Sequence, residues 1–209
     1  MTTLKKFLEN PQVDLTADRV AVFTFGRFNP PTKGHGQLIE TVISLSKGGD
    51  HFIFPSHTVD KPLKKTGRIN PDTSKNPLPF DVKVAFMRQL FPLANIVEDG
   101  PTNPWNVPEW LGEQGYTDIK MVVGADQIDD FSRLVESASK YFNSFEIVSA
   151  GIRNPDASDL TGMSATKARS AALLEDIGKF RVATGWSGEV AEKLMEATRI
   201  SMGAEIRGR

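Results

Sequence analysis

The chain has 209 residues, no cysteine, 39% hydrophobic and 24% charged residues, and a formal net charge of −1. That is a globular composition long enough for one good-sized core, and the lack of cysteine excludes disulfides, thiolate metal sites and thiol nucleophiles. The balanced charge removes a bulk electrostatic case for nucleic acid or membranes. The opening "MTTLKKFLENPQVDLTADRV" has no apolar core of the signal-peptide kind, and no run approaches a membrane span of ~20 apolar residues, so a cytoplasmic protein is expected.

Taken in chain order, Arg19 to Phe25 is short, apolar and rich in β-branched and aromatic residues, which predicts a strand covered on both faces. From Gly34 to about Ser46, the spacing of Leu38, Ile39, Val42, Ile43 and Leu45 predicts an amphipathic helix ended by Gly48-Gly49. "HFIFPS" (His51 to Ser56) is a second strand. The polar, Pro- and Lys-rich stretch Lys61 to Pro79 is long for a loop in a compact domain, which marks it as functional or mobile. "FDVKVAFMRQLFP" reads as a helix stopped at Pro92, "NIVED" as a short strand, and "NPWNVPEWLGEQG" as a helix with a glycine exit.

Ile119 to Asp126 ("IKMVVGAD") is a fourth strand, "QIDDFSRLVESASK" a helix and "FEIVSA" a fifth strand. A helix starting at Ser164 is expected to run through "ATKARSAALLEDIGKF", and the tail from Glu189 to Gly203 is helical in pattern. Alternation of strands and helices predicts an α/β fold: a Rossmann-like parallel sheet of about five strands, helices on both faces, and a C-terminal helical extension. The main domain is expected over 1–181, with 182–209 as its extension. Whether that tail packs on the sheet or on a second copy of the chain is open, so a homo-oligomer remains an option.

Chemistry concentrates where the first strand meets the first helix, in "GRFNPPTKGH". Parallel sheets bind ligands at the carboxyl ends of their strands. A helix start offers unpaired N–H groups and a partial positive charge to an anion. Gly26 allows an unusual exit from the strand and a close ligand approach. Pro30 and Pro31 stiffen the loop, Gly34 allows close approach, and Thr32 and His35 bring a hydroxyl and an imidazole toward the same anion. The plainer reading is a common Pro/Gly turn with a solvated or capping histidine. The stretch is neither a dinucleotide fingerprint nor a P-loop, since neither spacing is present.

A second helix start, "GMSATKARSAALLE", places Ser164 as N-cap with Thr166, Lys167 and Arg169 around it. Thr166 with the end N–H groups suits phosphate, and Arg169 adds a permanently charged fork. The plainer reading of these residues is an ordinary capped helix with a solvated basic face. A third element, "MVVGADQIDDF", puts Gly124 and Asp126 at a strand end, where Asp126 also fits an N-cap.

The first stretch resembles the signature of the nucleotidylyltransferase superfamily, G-x-F-x-P-x-[HT]-x-G-H, with Gly26, Phe28, Pro30, Thr32, Gly34 and His35 on the pattern. Threonine in place of the first histidine is similar to phosphopantetheine adenylyltransferases, and the Gly-Arg-Phe opening to nicotinamide mononucleotide adenylyltransferases. Met163 to Arg169 resembles the second signature, [IV]-S-[SG]-[ST]-x-[IL]-R, more loosely, because Ala165 and Ala168 replace the commoner residues. Gly124 and Asp126 match a Gly-[SAG]-Asp element. The resemblance covers about residues 19 to 181. Its order of motifs looks most like the small nucleotidylyltransferases of tailed bacteriophages, which would place the protein in a host cytoplasm.

This resemblance implies transfer of a nucleoside monophosphate, with AMP from ATP expected first, to a phosphorylated small molecule such as nicotinamide mononucleotide, with release of pyrophosphate. His35 would act at the α-phosphate, Thr32 on the triphosphate, and Ser164, Thr166 and Arg169 on the β- and γ-phosphates. Gly26, Arg27, Phe28, Gly34, Gly124 and Asp126 would complete the nucleotide site, and Mg²⁺ would be held by phosphate oxygens and water. Lys61, Lys64, Lys65, Arg68 and Lys75 are candidates to close over an anionic acceptor, and Arg88, His57, Trp105 and Trp110 are weaker candidates. A CTP-dependent cytidylyltransferase acting on a phosphorylated alcohol is the second enzyme reading. A nucleotide-binding module without turnover is the reading from another class.

Overall fold

The computed structural model describes residues 18–61, 64, 74–151 and 163–203. Within it the apolar runs form β1 (Val20–Gly26), β2 (Asp50–Pro55), β3 (Asp118–Val123) and β4 (Ser144–Ser149), in one sheet ordered β2-β1-β3-β4. β1 runs parallel to β3, with Ala21 opposite Ile119 and Phe23 opposite Met121, and β3 runs parallel to β4 from Asp118 opposite Ser144. Along the chain these strands alternate with and are followed by helices α1 (Lys33–Ser46), α2 (Phe80–Leu90), α3 (Val107–Glu113), α4 (Ile128–Ala138), α5 (Ala165–Leu173), α6 (Ile177–Thr184) and α7 (Gly188–Ser201). The architecture is the expected Rossmann-like α/β one.

Two expectations need correction. The described sheet has four strands rather than about five. "NIVED" makes a single parallel bridge, Ile96 to Ile53, with hydrogen bonds on either side of it. The charged pair Glu98-Asp99 follows at once and leaves too few apolar residues for a ladder. The helix starting at Ser164 is also two helices. α5 stops at Leu173, Glu175 takes a positive φ of 54°, and Asp176 starts α6 by accepting the Lys179 N–H at 2.9 Å. A short acid at an N-cap satisfies an orphan donor that an uninterrupted helix would not have.

The described residues group into two units. The first comprises 18–25, 38–54 and 93–151 and holds the sheet. Ala21, Phe23, Ile119, Met121, Val123 and Phe145 share its core with Val107 and Leu111 of α3 and Leu134 and Ala138 of α4. Val22 and Val122 alternate with these residues along the strands and are equally buried, so both faces of the sheet are covered. Trp110 packs edge-on against Phe52 and Phe54, while Trp105 is exposed.

The second unit comprises 26–37, 55–61, 64, 74–92 and 163–203. Its core is built of small residues, Ala168, Ala171, Ala172 and Ala183, against Leu78, Phe180 and Leu194, so α5, α6 and α7 pack closely. α6 ends on Gly185 at φ 75°, whose N–H closes on the Arg181 carbonyl at 2.7 Å. No helix among the described residues is long and apolar enough to cross a membrane.

Candidate functional site

Thr32 and His35 start α1 with a reciprocal pair of hydrogen bonds. The His35 N–H donates to the Thr32 hydroxyl at 3.3 Å, and the Thr32 N–H donates to His35 Nδ1 at 3.0 Å. The Thr32 hydroxyl also lies 3.0 Å from Nδ1. This is the geometry of a capping box with histidine where Glu or Gln normally stands. A backbone N–H can only donate, so Nδ1 accepts, and in the neutral ring the proton sits on Nε2. The capping reading of His35 and a fixed Nε2–H donor therefore describe one arrangement.

The loop before the helix is rigid for identifiable reasons. Phe28 is fully buried at φ 47°, a region that non-glycine residues seldom occupy, and its ring meets the His35 ring at 5.1 Å. The unusual backbone expected at Gly26 is thus found two residues later. A Cβ on Gly26 would come within 2.9 Å of the Phe28 ring, so the close approach there is made by Phe28. The buried Asn29 carboxamide grips both backbone groups of Leu78, at 3.1 Å each. Trp186 donates its indole N–H to the Pro31 carbonyl at 3.1 Å, and the Lys33 amine lies 5.5 Å from its ring.

Arg169 joins this loop to the start of α5. One guanidinium nitrogen donates to the Asn29 carbonyl at 2.8 Å and another to the Thr166 hydroxyl at 3.0 Å. Ser164 caps α5 through the Lys167 N–H, as the sequence suggested. Burial first, and then the positive charge of Arg27, pull the Arg169 pKa below its ordinary value, while Asp60 pulls it back. Two guanidiniums are therefore held within each other's field at an electrostatic cost, which is how anion sites are commonly built. Arg27 itself is exposed.

Lys83 was missed in the sequence. It is fully buried on α2, donates to the Ser56 carbonyl and lies 5.7 Å from the Phe80 ring. The other half of this corner is His57, stacked on Phe80 at 3.8 Å. Desolvation lowers the Lys83 pKa from 10.5 to about 8. The native amine then loses its proton near pH 8 while the unfolded chain keeps it to 10.5, so the unfolded state binds more protons in that window. Stability contributed by this group rises with pH across it, by about 3 kcal/mol in total. Urea midpoints taken from about pH 7.5 to 10.5 should climb in the wild type relative to Lys83→Met, and parallel curves would contradict the assignment.

Of the remaining candidates, Gly34 lies in the first turn of α1, half-buried. Gly124 and Asp126 sit past β3 in the first unit, where a Cβ on Gly124 would lie 2.6 Å from the Asp126 carboxylate. Lys61, Lys64, Lys75 and Arg88 are exposed, while Lys65 and Arg68 lie outside the described residues. Among the described residues, no three His, Asp or Glu side chains converge to hold a metal ion.

Comparisons with known proteins bear on the family and the fold. Residues 23–171 match the model of a family described as cytidylyltransferase-like. No curated protein matches the chain. A nicotinic acid mononucleotide adenylyltransferase from Plasmodium falciparum, complexed with APC, shares the fold at TM-score 0.56 and 15% identity. The match covers 88% of this chain and 97% of that one. A protein from Vibrio parahaemolyticus described as a nicotinate-nucleotide adenylyltransferase aligns at TM-score 0.51 and 21% identity, over 86% of this chain and 100% of its own.

Proposed function

Because the chain belongs to the cytidylyltransferase-like family of nucleotidylyltransferases, we propose that it transfers AMP from ATP to nicotinamide mononucleotide. An oxygen of the acceptor phosphate attacks the α-phosphorus in line, the bond to the β-phosphate oxygen breaks, and pyrophosphate leaves. Such a reaction needs positioning and charge stabilisation rather than a protein nucleophile.

The observation that carries this reading is the His35 cap, which fixes a ring N–H donor at a helix start in the same unit as Arg27 and Arg169. His35 Nε2–H donates to the α-phosphate as negative charge builds there. Thr32 is buried and spends its hydroxyl on His35, so we read it as orienting the ring rather than as a triphosphate ligand. Ser164, Thr166 and the first turn of α5 take the β- and γ-phosphates with Arg27, and Arg169 joins the two helix starts. Mg²⁺ would arrive with the triphosphate, bound by its oxygens and water, and would neutralise charge on the phosphates. Gly124 and Asp126 enter no step here.

Nicotinamide mononucleotide is chosen on the opening Gly26-Arg27-Phe28-Asn29-Pro30, which resembles adenylyltransferases that use it. The family match favours a second reading, CTP with a phosphorylated alcohol. Pyrophosphate release measured with each of ATP, CTP, GTP and UTP, with and without nicotinamide mononucleotide, separates them. Release confined to ATP plus that acceptor is the expected result. Release with CTP and a phosphorylated alcohol overturns the substrate and keeps the phosphate machinery.

A further inference from the structure

Asp60 had no part in the sequence reading. It lies five residues past β2, half-buried in a polar stretch. One of its carboxylate oxygens, Oδ2, accepts from the Ser74 hydroxyl, the Lys75 N–H and the Asn76 N–H, each at 2.8 Å. Its own N–H donates to the Asn76 carbonyl at 2.9 Å. Two successive backbone N–H groups and a hydroxyl converge on one carboxylate oxygen and hold its negative charge in place.

The clasped segment continues directly into Leu78, whose N–H and carbonyl are both held by Asn29. Asn29 is held in turn by Arg169. One hydrogen-bonded chain therefore runs from Asp60 through 74–78 to the loop before α1 and on to the start of α5. Within it, Lys75 has its backbone pinned and its side chain exposed. Asp60 also supplies negative charge in the field of Arg169, offsetting Arg27. Asp60 is the smallest of the three influences on Arg169, so its main structural effect is the pinning of Lys75.

We infer that Asp60 is a positioning residue for the acceptor: it holds Ser74–Asn76, and so the Lys75 amine, where the acceptor phosphate binds. The inference rests on the proposed transfer reaction. Asp60 touches no substrate and acts through Lys75, so its loss weakens the acceptor and leaves the triphosphate and the chemical step largely alone.

The test is steady-state kinetics of the full chain with ATP and nicotinamide mononucleotide, with amide hydrogen exchange followed at residues 74–76. Asp60→Ala is expected to raise the acceptor KM about tenfold, the scale of one charge-assisted contact, with kcat and the ATP KM within about threefold. Lys75→Ala should do the same, and the double variant should be no worse than either single one, since both remove one interaction. Asp60→Asn keeps a neutral oxygen for the three donors and should recover part of the loss. Faster exchange at Lys75 and Asn76 in Asp60→Ala reads the clasp without substrate.

Equal losses in kcat and both KM values, or additive effects of Asp60→Ala and Lys75→Ala, would mean Asp60 only supports the fold and would overturn the inference. Wild-type protein that releases no pyrophosphate with this pair, while exchange still speeds up in Asp60→Ala, would overturn the transfer reading and the acceptor role with it, leaving only the clasp.

Discussion

His35→Ala is expected to cut turnover by roughly 10²–10³ while leaving ATP binding within about tenfold, the scale for losing one preorganised donor at a developing charge. The same change removes the acceptor for the Thr32 N–H and should lower stability by about 1 kcal/mol, as lost caps do. Those two effects must be separated, because a frayed α1 could also slow the reaction. His35→Gln does this. A glutamine at the third helical position can reach back to the Thr32 N–H as in an ordinary capping box. It restores the cap and cannot place a ring N–H at the same point. The expected result is a melting temperature near wild type with turnover still reduced by about 10² or more. Recovery of turnover along with stability in His35→Gln would show that the histidine serves the helix alone.

Arg169→Ala is expected to lower kcat/KM by about 10²-fold, because two charge-assisted hydrogen bonds disappear at roughly 1.5–3 kcal/mol each, partly offset by water. The buried Asn29 carbonyl loses its donor, and the loop before α1 loses its tie to α5. Arg169→Lys should recover little. An ammonium is a point donor and cannot reproduce a fork that spans Asn29 and Thr166. Removing the charge also relieves the repulsion with Arg27. Protein without ligand should therefore lose less stability than the two lost bonds alone suggest, while triphosphate protects it less against heat. Full activity in Arg169→Lys would mean that charge alone matters at this position.

The sheet was legible because its strands are apolar on both faces, so Ala21 to Phe23 and Ile119 to Val123 stand out as runs. Residue spacing marked both helix starts, and the structure places Thr32, His35, Ser164 and Arg169 around them. The missing strand at Ile96 was less readable, since a bridge and a ladder differ only in how far pairing continues. Pairing between Thr32 and His35 was hidden because the familiar box carries an acidic or amide side chain at its third position. Lys83 left a usable signal: Phe80, Lys83 and Met87 recur at helical spacing, which puts the lysine on the inner face of α2. Asp60 left none. Its partners come from the far side of a long loop, and nothing local to "TVDKP" records them.

Trp186 gives this architecture an optical consequence. Its indole N–H is held by the Pro31 carbonyl and the Lys33 amine stands over its ring, so its emission reports on the loop before α1. The chain has three tryptophans, and Trp105 and Trp110 belong to the other unit. With those two replaced by phenylalanine, the remaining indole becomes an intrinsic spectroscopic gauge of the loop, and the proposed nucleotide binding can be tested in real time without a label.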